Sequence, residues 1–211
     1  IHVADLGWGS SNRKNIWDIP TAKLLEMVRT VMEHEHKGPI AVYALTMKEH
    51  GPYPSKKYHS LKTNDNKVDN EALGRLAEYV DRLEQASNAM VEFDNWIQKR
   101  SRPTVMIRFG DHQPALLWKN GYCTDMVRPD YITDYTLVDN QVKGKERSYP
   151  LTDIVFLPSL ILERVGVQMG HFYETNSAMK SLCKGLYQDC SDKHLLKAYQ
   201  NEIYVNQRIA E

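Results

Sequence analysis

Apolar residues recur along this chain with two different periods. From Asp18 to about His36, Leu24, Val28, Val31 and Met32 form one stripe at helical spacing. Asp18 can cap that helix, Pro20 fits its first turn, and Gly38-Pro39 stops it. The stretch Asp69–Arg100 repeats the period over a longer span. Its Leu73, Leu76, Val80, Leu83, Ala86, Met90, Phe93 and Ile97 step by three or four, which predicts one long helix or two abutting ones. Ser101-Arg102-Pro103 breaks it. Ile40–Met47 is instead short, continuous and partly β-branched or aromatic, like a strand covered on both faces, and Thr104–Phe109 reads as a second buried strand.

Strand, long helix, strand is a βαβ unit, so these two strands are expected to run parallel through a right-handed crossover. Parallel strands end at one sheet edge, and ligand sites in open α/β sheets lie outside those carboxyl ends. The loops that start at Lys48 and Gly110 are therefore expected to be neighbours despite their separation in sequence. Further on, Tyr131–Val138 has strand composition. Asp153–Val165 reads as a helix despite Pro158, with Gly166 as its stop. Two helices, Ser177–Leu186 and Asp192–Ile209, are expected at the end, the second with Leu195, Leu196, Tyr199, Ile203 and Ile209 on an apolar face. The expected fold class is α/β: a largely parallel sheet flanked by helices, with a helical C-terminal tail.

Composition narrows the function classes. With 211 residues, 42% hydrophobic and 26% charged, the chain can bury a substantial core and is neither disordered nor fibrous. Its 27 basic residues balance 27 acidic ones, so no global positive field favours nucleic acid. The longest apolar runs are core-sized, well short of the roughly 20 residues that span a bilayer. The chain begins with Ile1 and without the basic and apolar regions of a signal peptide, so it is expected to be a piece of something larger or to have a processed terminus. Cys123, Cys183 and Cys190 are too few for a disulfide scaffold and lack C-x-x-C spacing. Cys183 and Cys190 can pair locally in an oxidising compartment, leaving Cys123 over.

Two segments carry candidate chemistry. Phe109-Gly110-Asp111-His112-Gln113-Pro114 closes the second predicted strand with a hard carboxylate and a borderline imidazole, a donor pair suited to Zn²⁺ or Mn²⁺. Two adjacent ligands do not complete a coordination sphere, and a capped turn with a locally bonded His112 is the plainer reading of the spacing alone. Thr46-Met47-Lys48-Glu49-His50-Gly51-Pro52-Tyr53 follows the first predicted strand. There His50 can donate to a phosphate or sulfate oxygen or protonate a leaving group, and Lys48 adds positive charge; a solvated turn is the plainer alternative. Other features read as structural. His34 and His36 face different ways at a helix end, and His59, His171 and His194 have no evident partner. Trp8, Trp17, Trp96 and Trp118 are expected to pack, and Lys56-Lys57 and Lys143-Gly144-Lys145 to be solvated.

Taken together, the two segments resemble the alkaline phosphatase/sulfatase superfamily, in particular its lipoteichoic acid synthase and phosphoglycerol transferase branch. Thr46–Tyr53 matches that branch's T-x-x-x-H-G-P-[FY] loop, and Phe109–Pro114 its F-G-D-H-x-P strand end, with a long helix between. Trp8-Gly9 and Tyr131-Ile132-Thr133 match more loosely. The resemblance covers residues 1–170, as the C-terminal portion of a sulfatase-like catalytic domain, with 171–211 as its helical extension. It implies Asp111 and His112 as metal ligands, His50 as a substrate-binding residue, and a divalent metal cofactor, Mn²⁺ or Zn²⁺ ahead of Mg²⁺ or Ca²⁺.

The family's Thr (or modified Cys or Ser) nucleophile has no counterpart here, since none of Thr21, Thr30 or Thr46 has the expected context. The resemblance thus implies half of a site, inactive alone, whose partners are the missing N-terminal half of the domain and an anionic phospho- or sulfo-ester on a lipid or glycan. It also implies a location outside the cytoplasmic membrane, in a membrane-anchored protein. A non-catalytic domain of the same fold that binds an anionic glycan or lipid head group is the alternative. A calcineurin-like metallophosphoesterase would need further motifs that Asn70 and Asn140 do not supply.

Overall fold

The computed structural model describes residues 16–34, 38–55, 70–114, 116, 132–142 and 150–206. Trp8-Gly9, His36, Lys56-Lys57, His59, Trp118, Cys123, Tyr131 and the 143–145 charge cluster lie outside the described residues. The chain divides into two compact units, Ile1–Lys99 with His112–Thr133, and Arg100–Asp111 with Asp134–Glu211.

In the first unit a short 3₁₀ turn, Ile16–Asp18, leads into α1 (Thr21–Glu33). The cap is Pro20 rather than Asp18. Held extended, Pro20 offers its carbonyl to the N–H groups of Lys23 and Leu24 at 2.9 and 3.0 Å. Leu25 and Met27 are buried, with Leu24, Val28, Val31 and Met32 half-buried beside them. The long periodic stretch forms the single helix α2 (Asn70–Lys99), against which α1 packs. Phe93 and Ile97 are buried there, and Trp96 donates its indole N–H to Glu33 at 3.2 Å beneath the Arg29 guanidinium.

The strand expected over residues 40–47 is not formed. Residues 39–47 have no ladder partner among the described residues, and Ile40, Val42, Tyr43 and Leu45 are 37, 42, 79 and 58% exposed. An apolar β-branched run reports the surroundings a segment suits; it does not supply the neighbours that must pair with it.

The second unit holds the sheet of the described residues, two strands, β1 (Val105–Phe109) and β2 (Tyr135–Asp139). They pair antiparallel, Ile107 opposite Leu137, so the expected largely parallel sheet is not found among the described residues. Asn140 locks the end of this pair. Its side-chain oxygen accepts from the Thr104 N–H at 2.8 Å, and its amide donates to the carbonyls of Arg100 and Arg102. Asn140 is thus a structural clamp.

Helix α3 (Leu157–Val165) packs on β1 and is tied to β2 by Arg164, which meets Asp139 at 2.6 Å. It stops where expected, at Gly166 in the left-handed conformation. Helix α4 (His171–Leu182) starts six residues earlier than the predicted 177, because the Gly170 carbonyl accepts from Tyr173 and Glu174 and opens the helix there. A Cys183–Cys190 disulfide closes the turn that follows. Asp192 caps α5 (Lys193–Asn201) by accepting from the Leu195 N–H at 2.9 Å, and the helix widens into a π turn over Glu202–Asn206.

Phe156, Met179, both disulfide cysteines, Tyr199 and Ile203 form the core of this unit. Buried Asn176 is satisfied inside it, accepting from the Ser159 hydroxyl and donating to the Tyr199 oxygen at 2.9 Å. Burial pushes the Tyr199 phenol up, against the opposing Asn176 hydrogen bond. Burial also raises the Glu163 carboxyl, but hydrogen bonds from Lys180 and Ser177, with the Lys180 charge, outweigh it and hold that group below its ordinary value. No helix of the described residues is long and apolar enough to cross a membrane.

Candidate functional site

The loop after residue 46 is shaped from α2. A turn closes from the His50 N–H to the Met47 carbonyl at 3.1 Å. Arg82 then reaches in and donates through Nη1 to the carbonyls of Lys48 and His50, at 3.0 and 2.9 Å. Its Nε donates to Glu78 one helical turn back at 2.8 Å, with both side chains largely shielded from water. The same guanidinium lies 5.4 Å from the Tyr53 ring centre, and the Tyr53 hydroxyl donates to the Glu49 carbonyl at 2.9 Å. Thr21, at the start of α1, donates to the Glu49 carboxylate. One largely shielded cation thus fixes a backbone that has no sheet partner among the described residues.

His50 stands exposed on this clamped loop. Its Nδ1 lies 2.7 Å from the Gly51 carbonyl, a contact that only a donating N–H can make. The neutral ring then carries its lone pair at Nε2. His112 repeats the pattern with the Gln113 carbonyl at 2.8 Å, and Gln113 in turn donates to the Ile132 carbonyl. The two imidazole centroids lie 5.9 Å apart at 87°, and Trp17 meets His50 edge-on at 5.6 Å. Beside them Lys48 Nζ approaches Asp18 at 3.5 Å. His50 and His112, far apart in sequence, are brought together.

Asp111 ends the second unit, exposed in the bend after β1, one residue before His112 in the chain. A histidine whose Nδ1–H is held by a carbonyl has the tautomer and orientation of a metal-ligating imidazole, and a neighbouring carboxylate is a hard donor for the same ions. That donor set fits Mn²⁺ or Zn²⁺. Among the described residues no group of three or more His, Cys, Asp or Glu side chains converges as a metal site, and two donors alone do not complete a coordination sphere.

The other described histidines lie away from this pair in the chain. His34 bonds the Thr30 carbonyl of its own helix. His171, expected without a partner, meets Glu202 at 2.9 Å, because the π turn after α5 brings Glu202 within reach. His194 is exposed on α5. Sequence reasoning missed Arg82 and Trp17. The Glu78–Arg82 spacing is readable as a helical ion pair, but nothing in it tells that the guanidinium also grips a distant loop.

Comparison with known proteins bears on this arrangement. Residues 2–167 match the model of the Sulfatase family. An uncharacterized protein of Haemophilus influenzae is 29% identical over all of this chain, which spans 40% of that relative. A candidate cyclic beta-1,2-glucan modification protein of Rhizobium meliloti is 24% identical over 70% of the chain and 25% of its own length. The chain therefore spans less than half the length of these relatives. No solved structure gives a significant match.

Proposed function

The chain belongs to the sulfatase family of the alkaline phosphatase/sulfatase superfamily, and from that premise we propose that it forms part of a metal-dependent phosphoglycerol transferase-like or sulfatase-like enzyme of the cell envelope. The reaction would transfer or hydrolyse a phospho- or sulfo-ester group on an envelope glycan or lipid. The relative described as a glucan modification protein favours the glycan. The observation that carries this reading is the 5.9 Å approach of two exposed imidazoles with matched tautomers.

Asp111 and His112, adjacent in the chain, would bind the metal through a carboxylate oxygen and Nε2. A bound divalent ion supplies Lewis-acid neutralisation of charge on the ester. His50 would hold a non-bridging ester oxygen. Protonated at Nε2, it donates there while its Nδ1–H stays on the Gly51 carbonyl. Arg82 keeps Lys48 and His50 at fixed height, and Lys48 adds positive charge on the anion's side.

The nucleophile and an acidic ligand would come from sequence outside this chain, in a membrane-anchored protein with its catalytic domain outside the cytoplasmic membrane. Isolated, the 211 residues are expected to turn over no ester and to bind metal weakly. Titration with Mn²⁺ and Zn²⁺ tests the metal assignment: Asp111→Ala and His112→Ala should each weaken binding about tenfold or more. Unchanged affinity removes those residues as ligands, and ester turnover by the isolated chain refutes the divided site. A non-catalytic module of the same fold would show the anion contact of His50 with no metal dependence.

A further inference from the structure

We infer that Trp17, Asp18 and Lys48 form a sugar-ring subsite beside His50, shaped for a pyranose of the glycan that carries the ester. This deepens the proposed function and rests on it for the place of the reacting group. Trp17 belongs to the short turn before α1 and is 47% exposed, although its ring is held against His50 at 5.6 Å and 73°. An indole is the side chain with most to gain from burial, and one left half in water next to a polar site presents a rigid apolar face to whatever binds there.

Its flanks are hydrogen-bonding groups of both kinds. Asp18 only accepts and Lys48 only donates; they face each other at 3.5 Å with side chains 64 and 38% exposed. An ion pair that long and that wet contributes little by itself, so both heads can turn to a ligand at small cost. A pyranose asks for this combination: a C–H face to lie on an aromatic ring, and hydroxyls around its rim that need a donor and an acceptor. A glycerol head group has no flat C–H face for an indole to cover.

The subsite is also coupled to the candidate chemistry. Arg82 grips the carbonyls of Lys48 and His50 with one nitrogen, so the sugar-facing lysine and the ester-facing histidine are set by the same bond pair. Trp17 and Asp18 stand together in one turn, just ahead of Thr21, which bonds Glu49 of that loop. A ring lying on Trp17 would place a substituent within reach of His50.

The test titrates the full chain with a neutral β-linked glucan oligosaccharide that carries no ester, and separately with Mn²⁺ alone. Trp17→Ala should weaken glucan binding about tenfold while Trp17→Phe keeps it within about threefold, the scale of one aromatic contact. Mn²⁺ affinity should stay within about twofold in both variants, with unfolding midpoints confirming an intact fold. The subsite is overturned if the wild-type chain does not bind the glucan, if Trp17→Ala binds it as wild type does, or if that variant weakens glycerol phosphate as much as glucan. Should glucan binding depend on Trp17 while Asp111→Ala leaves Mn²⁺ affinity untouched, the metalloenzyme reading fails and the sugar subsite stands.

Discussion

Around Phe156 the chain buries Met179, Tyr199, Ile203 and a disulfide, and even the polar Asn176 enclosed there has partners for its side-chain oxygen and nitrogen. Around His50 it leaves Ile40, Val42, Tyr43 and Leu45 in water and fixes the next few residues with one guanidinium. The first region is held by apolar area and close packing, which are distributed over many contacts. The second is held by a few charged hydrogen bonds that fail together if one group is removed. A functional loop gains from the second arrangement, because the side chains that would otherwise pack a core remain available at the surface.

Phe156 sets the upper end of that contrast. It is 0% exposed, so Phe156→Ala should cost about 3–5 kcal/mol in chemical denaturation, the range for emptying a buried aromatic position. A loss under about 1 kcal/mol would mean that the C-terminal core is not closed and the contrast is false.

Arg82→Ala comes next, at about 2 kcal/mol, the scale of losing charge-assisted hydrogen bonds, here to Glu78 and two loop carbonyls. The more telling readout is local. Without the two carbonyl bonds, the imidazole nitrogens of His50 should lose their distinct NMR shifts as the loop samples several conformations. Arg82→Lys should not restore them, since an ammonium cannot reproduce the planar fork that serves Glu78 and both carbonyls at once. Full rescue by lysine would show that charge alone, and not the fork, holds the loop.

These two regions were not equally legible. Helical spacing alone gave α2 almost to the residue, and Gly166 and Asp192 marked a helix end and a helix start, because periodicity and caps are local properties. The Thr46–Tyr53 and Phe109–Pro114 segments were readable as words, and the approach of His50 to His112 followed from placing both after strands. That placement rested on a strand over residues 40–47 that has no partner among the described residues, so the neighbours came together without the sheet edge invoked for them. Strand pairing and its direction depend on segments distant in sequence, as β1 and β2 show by running antiparallel. Arg82 stayed hidden for the same reason: its partners within the helix lie four residues away, its partners on the loop more than thirty.

The smallest expected effect is the sharpest test of the exposed segment. Tyr43 is 79% exposed and Val42 42%, so Tyr43→Ser and Val42→Thr should each change the stability of this chain by less than about 0.5 kcal/mol. A side chain that is already wet in the folded state has little hydrophobic free energy to lose when it is cut back. If either substitution instead costs more than about 1 kcal/mol, some surface buries that residue in solution and the strand character written in the sequence is realised there. The pair also tells the two edges of the segment apart. Successive residues of an extended chain point to opposite faces, so a cost confined to Val42 or to Tyr43 identifies the covered face, while a cost at both means a strand enclosed on both sides.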